Sequence, residues 1–208
     1  MEKIVIIGGG GHAKSIIAVI KKIGVYKILG YVDVEDHGKI LGVSYLGNDD
    51  KLKNIKKKHS CHYAALGVGA VNISDKRQKV VDRLISLGLK FPTIISPTAI
   101  INEDVKIGKG TIIHDGVVIN SGTRIGMYTI VNNASCIEHD CRIGNFVHIA
   151  SGAILSGGVV IGDNSLIGAG STIVQYKTIG KDCLVAAGAV VVGDCLESGT
   201  YKGIPAKK

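Results

Sequence analysis

The chain has 208 residues, room for one large domain or two small ones, and carries a formal net charge of +8. Aromatics make up only 4% and the lysines are scattered apart from Lys56, Lys57 and Lys58, so the charge suits anionic small molecules such as nucleotide phosphates better than nucleic acid. No apolar run is long enough to span a bilayer, the first residues lack the apolar core of a signal peptide, and the five cysteines show no CxxC spacing, which predicts a soluble, cytoplasmic chain without membrane insertion or a bound metal.

Lys3 to Ile7 reads as a buried strand that ends in the run Gly8-Gly9-Gly10-Gly11-His12. A helix is predicted from about Ala13 to Ile23, with Ile16, Ile17, Val19, Ile20 and Ile23 on one side. A second strand over 28–32 ends at Asp33. A helix over 50–58, a strand at 63–67, a helix over 75–87 and a strand at 93–95 complete an α/β alternation. Residues 1–91 are therefore expected to form an α/β, Rossmann-like domain, a small parallel sheet with helices on its faces. A strand, a Gly-rich turn, a helix and an acid at the end of the second strand form a phosphate-and-ribose arrangement. The glycines admit the phosphate, the helix N-terminus attracts it and the acid accepts from ribose hydroxyls. Gly10, Gly11, His12, Asp33 and Gly67 are the residues such a site would use. Gly8-x-Gly10-x-x-Ala13 also fits a dinucleotide fingerprint, although ninety residues supply only half of the usual NAD fold, and a tight turn without ligand is the bland alternative.

From Ile95 to Val191 an aliphatic residue falls on every sixth position. Neither the 3.6 period of a helix nor the alternation of an ordinary strand produces that spacing, whereas a parallel β-solenoid does. Two residues before each aliphatic a small or slim side chain recurs, as in Thr111, Val117, Thr123, Cys141, Ala153 and Cys183, so these two cysteines read as buried fillers. Gly108, Gly126, Gly144, Gly162 and Gly180 recur every 18 residues, which makes one coil a triangle of three short strands. Each of these glycines is expected at a corner whose backbone conformation is costly with a Cβ. The solenoid domain is expected to span 92–208, its aliphatics stacked about 4.8 Å apart inside the prism.

Polar interruptions of the repeat locate the chemistry. His139 stands two residues past the inward Ile137, at an outward corner, with Asp140 beside it to orient the imidazole as a general base. One coil later stand Gly157 and Gly158, which leave space over the ring and offer the Gly157 N–H to a developing oxyanion. His148 follows nine residues after His139, while His37, His59, His62 and His114 read as ordinary surface histidines.

The GGxGH-type turn, the solenoid with Ile137-Glu138-His139-Asp140 followed by I-G-x-F-x-H-I, and the ending Gly203-Ile204-Pro205-Ala206-Lys207 resemble the bacterial sugar acyltransferases. More closely, they resemble the nucleotide-sugar N-acetyltransferases that act on UDP-4-amino-sugars in bacillosamine synthesis. The resemblance covers essentially the whole chain. It implies a left-handed β-helix, a homotrimer, and acetyl-CoA as co-substrate in a groove between neighbouring solenoids. It further implies His139 as base with Asp140 behind it, and His148, Ala169 and Ala187 along the acetyl-CoA groove. Gly10, Gly11, His12, Asp33 and Gly67 would hold the nucleotide sugar. Val34 stands where UDP-using relatives can carry a second acid, which leaves the nucleotide open. The rivals are a sialic-acid-type sugar O-acetyltransferase and a non-catalytic nucleotide-sugar-binding scaffold.

Overall fold

The computed structural model describes residues 1–208 and divides into two compact units, Met1–Gly69 with Lys76–Ile94, and Ala70–Asp75 with Ile95–Lys208. In the first unit, strand β1 (Glu2–Ile7) lies between β2 (Tyr26–Val32) and β3 (Tyr63–Leu66), both parallel to it. Ile4, Val5, Ile6 and Ile7 are all buried, as expected of a central parallel strand covered on both faces. Helix α1 (Gly11–Ile23) buries Ala13, Ile16, Ile17, Val19 and Ile20 and stops at Gly24, which takes the left-handed C-cap conformation. Helices α2 (Leu52–His59) and α3 (Lys76–Ser86) bury Leu52 and Ile55, and Val81 and Leu84.

The strand expected at 93–95 does not join this sheet. Ile94–Ile95 is instead the first rung of the solenoid, with the next N–H, that of Ser96, donating to Ile113 O at 2.9 Å. Ile95 already belongs to the six-residue column, and the coil that follows supplies its ladder. The α/β sheet accordingly has three strands, extended by isolated parallel bridges from Tyr63 to Lys90 and from Tyr31 to Tyr45.

The second unit is a parallel β-helix with three faces. The first face begins at Ile94–Ile95 and ends at Gly199–Tyr201. The second runs from Ile100–Ile101 to Val190–Val191, and the third from Lys106–Ile107 to Thr178–Ile179. Partners across the ladders are 18 residues apart, as in Ile130↔His148, Cys136↔Ile154 and Arg142↔Val160, until the last rung, where Leu184 pairs with Thr200. The second residue of each pair points inward, and Ile113, Ile119, Val131, Ile137, Ile149, Leu155, Ile167 and Ile173 are fully buried. The slim column lies inside with them, its hydroxyls satisfied coil to coil. Thr129 Oγ1 donates to Gly144 O at 2.9 Å and accepts from Val147 N–H at 3.2 Å, which offsets the cost of burying the hydroxyl.

The glycines of the 18-residue column have a different cause from the one expected. The left-handed backbone occurs two residues later, at Gly110, Tyr128, Phe146, Asn164 and Asp182, and at the equivalent position of the other two corners. Gly108, Gly126 and Gly162 are needed because coils approach closely. A Cβ on Gly126 would lie 2.5 Å from Gly144 O, and one on Gly162 would lie 2.5 Å from Lys181 N.

Candidate functional site

In the first unit, the turn after β1 opens a cleft of about 350 Å³ lined by Gly9, Gly10, Gly11, Lys14, His37 and Lys39, among others. Gly10 is the N-cap of α1 and supplies no side-chain cap, so the first amides of the helix face the cleft side with their partial positive charge. A Cβ on Gly10 or Gly11 would meet nothing within 4 Å. Lys14 and Lys39 add two cations. Asp33 stands behind this turn and organises it. Its carboxylate accepts from Gly9 N–H at 2.5 Å and Val34 N–H at 2.6 Å, and lies 3.5 Å from His37 Nε2. Tyr31 OH accepts from His37 N–H at 2.8 Å and donates to Gly38 O at 2.8 Å, folding the 33–39 loop back over the glycines.

Gly10 and Gly11 are thus at the cleft wall and Asp33 behind it, whereas Gly67 is buried. A Cβ on Gly67 would lie 2.8 Å from Ala13 Cβ and 2.9 Å from Ile7 O, so close packing of α1 on the sheet accounts for that glycine. His12 is half-buried in the first turn of α1, under Gly69. Lys14 and Lys39 were not singled out by sequence, and His37, read there as an ordinary surface histidine, lines this cleft beside Asp33; only placement near a glycine run, without spacing of its own, could have marked them.

In the second unit, His139 and Asp140 occupy the edge between the second and third faces. His139 Nδ1 is 2.9 Å from Asp140 Oδ2, and both side chains are more than half exposed. With Nδ1 donating to the carboxylate, Nε2 carries the lone pair and lies over Gly157 of the next coil. Two glycines bracket the pair. A Cβ on Gly157, one coil on, would lie 2.6 Å from His139 Nε2, and a Cβ on Gly122, one coil back, would lie 2.6 Å from Asp140 Oδ1. The backbone is pinned from both sides, with Asp140 N–H donating to Ser121 O and Gly158 N–H donating to His139 O. A polar ladder fixes the residue before the histidine: Asn102 Nδ2 donates to Asn120 Oδ1 at 2.6 Å, and Asn120 Nδ2 to Glu138 Oε2 at 2.8 Å. Those three residues are 18 apart, so the coil period itself was the available signal.

His148 lies on the first face, with Nδ1 2.7 Å from Ala70 O. Its neighbour His114 is buried at 1% exposure and is therefore not a surface histidine. Burial pushes its imidazole down to about 4, against a smaller opposing effect of Asp115. Ala169 and Ala187 are exposed and stacked one coil apart on the edge between the first and second faces, Gly188 N–H donating to Ala169 O. Within one chain they share no edge with His139. The second face separates them, and its outward side chains Ile100 and Ile154 are 57% and 45% exposed. No group of three or more His, Cys, Asp or Glu side chains is placed to hold a metal ion, and no helix is long and apolar enough to cross a membrane.

Residues 3–84 match the family model described as the PglD N-terminal domain, and residues 140–175 match the bacterial transferase hexapeptide model of six repeats. No curated protein matches by sequence. Among solved structures, a perosamine N-acetyltransferase from Caulobacter crescentus, a single-site mutant in complex with CoA and GDP-perosamine, is 32% identical with a TM-score of 0.93, covering 100% of this chain and 96% of that one. The acetyltransferase domain of PglB from Neisseria gonorrhoeae FA1090, in complex with acetyl coenzyme A, is 31% identical with a TM-score of 0.90, covering 99% and 98%. WeeI from Acinetobacter baumannii AYE is 26% identical with a TM-score of 0.89, covering 100% and 99%.

Proposed function

We propose a reaction for this chain from the premise that it belongs to the bacterial sugar acyltransferases built on a hexapeptide-repeat left-handed β-helix. It is an acetyl-CoA-dependent N-acetyltransferase whose acceptor is a nucleotide-linked amino sugar, with acetyl-CoA as co-substrate. The acceptor of finer description is a 4-amino-4,6-dideoxy sugar on a nucleoside diphosphate, destined for a surface glycan. The observation that carries the mechanism is the exposed His139–Asp140 pair at 2.9 Å, kept open by the missing side chain of Gly157.

In this reading the amine nitrogen bonds to the thioester carbonyl carbon while His139 Nε2 accepts the amine proton, and Asp140 holds the ring in the required tautomer. The Gly157 N–H steadies the oxyanion. As the intermediate collapses, the carbon–sulfur bond breaks and the proton passes to the departing sulfur. The nucleotide sugar is held by residues 1–91 at the Gly10–Gly11 turn, with Lys14 and Lys39 toward the phosphates; His12 and Asp33 shape that turn. Acetyl-CoA lies along His148, Ala169 and Ala187. These stand on other parts of the prism than His139, and the exposed isoleucines of the second face favour a second chain there, so the active unit is a homotrimer with sites shared between copies. The compartment is the cytoplasm, which suits five unpaired cysteines.

The test is to incubate the protein with acetyl-CoA and UDP-, GDP- and dTDP-linked amino sugars, follow thiol release and identify the product by mass and by resistance to hydroxylamine. An amide on one nucleotide amino sugar is expected. A hydroxylamine-labile ester would make it an O-acetyltransferase, and no turnover on any acceptor would refute the reading. Light scattering should give three times the chain mass; a monomer with full activity would refute the shared site.

A further inference from the structure

Along the edge that carries His139, the corner residues with left-handed backbone are Asp104, Gly122, Asp140, Gly158 and Tyr176, one per coil. Among these Tyr176 is the large ring, and it is 71% exposed. Its φ of 56° is one that bulky side chains avoid and that glycine adopts freely. The ring is exposed, but one edge of it is turned along the prism. It lies back over Gly158, where a Cβ would come within 2.6 Å of Tyr176 Cε1. The residue before, Gly157, makes the same room for His139 Nε2. Imidazole and phenol therefore reach, one from the coil before and one from the coil after, to consecutive residues whose Cα atoms stand about 3.8 Å apart. The peptide group between those residues is already used, Gly158 N–H donating to His139 O and Gly157 O accepting from Tyr176 N–H, both at 2.9 Å. The imidazole and the phenol ring thus stand over adjacent residues of one corner that carries no side chain of its own.

We infer that Tyr176 is a substrate-contacting residue whose ring carries the pyranose of the amino-sugar acceptor. This rests on the acetyltransferase reading of His139. An acceptor that brings its amine nitrogen to Nε2 places the body of its sugar, rather than its remote phosphates, beside the side chain over the next residue. A pyranose presents C–H groups on its face, and a deoxygenated C6 is a methyl; both match the apolar face of an aromatic ring, while the phenol O–H can meet a ring hydroxyl. The pantetheine arm of the donor is a flexible chain that gains little from a flat surface.

The test compares wild type with Tyr176→Phe, Tyr176→Ala and Tyr176→Gly, using acetyl-CoA with GDP-perosamine and with a UDP-linked 4-amino-4,6-dideoxy sugar, and recording KM for both substrates, particle mass and Tm. The acceptor KM of the Ala and Gly variants is expected to rise roughly 3- to 10-fold, the worth of one aromatic contact, with Phe within about twofold of wild type. The acetyl-CoA KM and the mass stay unchanged. Tyr176→Gly should raise Tm by about 2–4 °C as the strained corner relaxes, while worsening the acceptor KM. A purely structural tyrosine would not move those two readouts in opposite senses. An unchanged acceptor KM, a rise in the acetyl-CoA KM instead, or a fall in mass overturns the inference. Absence of wild-type turnover with every acceptor overturns the acetyltransferase reading itself, which keeps the two failures distinct.

Discussion

Gly157→Ala isolates the catalytic geometry from the fold. The added methyl carbon would lie 2.6 Å from His139 Nε2 and 2.7 Å from Cε1, short of ordinary contact at 3.4 Å by about 0.8 Å. Gly157 does not have the left-handed backbone of Gly158, so alanine fits the local conformation. The atoms in conflict belong to the end of a side chain that is about half exposed, so the imidazole swings away rather than the coil shifting. Stability should change by less than about 0.5 kcal/mol, the usual range for a surface substitution. The displaced ring leaves its 2.9 Å contact with Asp140 and takes Nε2 off the amine. Misplacement of a catalytic group by about 1 Å costs on the order of 100-fold, so kcat should fall by that order while both KM values hold. The assay is thiol release under saturating substrates, with Tm and far-UV circular dichroism on the same samples. Gly193→Ala serves as the control, because its Cβ would meet nothing within 4 Å. Wild-type kcat in Gly157→Ala with the fold intact would refute His139 as the base.

His139→Ala should lower kcat by on the order of 100- to 10,000-fold with Tm nearly unchanged, and Asp140→Asn should lower it less, since an amide still contacts the ring but no longer fixes its tautomer; steady-state kinetics decide. Gly11→Val places its side chain in open space, so it should leave the fold intact, raise the KM for the nucleotide sugar strongly and barely touch that for acetyl-CoA; equal effects on both would remove the glycine turn from acceptor binding. His114 provides a pH test of stability. Its neutral form is favoured in the fold, with the imidazole near 4 against about 6.5 when unfolded, so its contribution is complete above pH 6.5 and is lost as pH falls toward 4. The difference corresponds to on the order of 3 kcal/mol. Tm should therefore drop over that window in wild type and drop less in His114→Gln, and parallel profiles would refute the assignment.

The solenoid was legible because its signal is redundant. An aliphatic every six residues and slim side chains two before it both report the same inward direction, and the edge that bears His139 follows by counting. The α/β unit was legible as alternation, but the strand at 93–95 was misassigned because two isoleucines satisfy either partner; the competition is settled by which ladder offers unpaired groups. His114 was misread for a related reason: the period tells which way a side chain points relative to its own coil, not what lies over it. The role of Gly126 and its column was mistaken since sequence cannot separate a glycine that adopts positive φ from one that yields space to a neighbouring backbone. Asn102, Asn120 and Glu138 were readable in principle, being one coil apart, yet amides and carboxylates at corners look like solvated surface until their atoms are within bonding distance.

A chain wound at 18 residues per coil responds to changes in length in steps. Excising one whole coil beyond His139 would shorten the prism by about 4.8 Å while every inward column stayed continuous. Excising six residues instead would carry everything downstream round by a third of a turn. The edge bearing Ala169 and Ala187 would then move to another corner, with His139 left where it was. The distance and the direction between the two halves of the proposed site can thus be altered independently by deletion alone, which makes the 18-residue coil both the unit of this fold and the unit in which that proposed site can be rearranged.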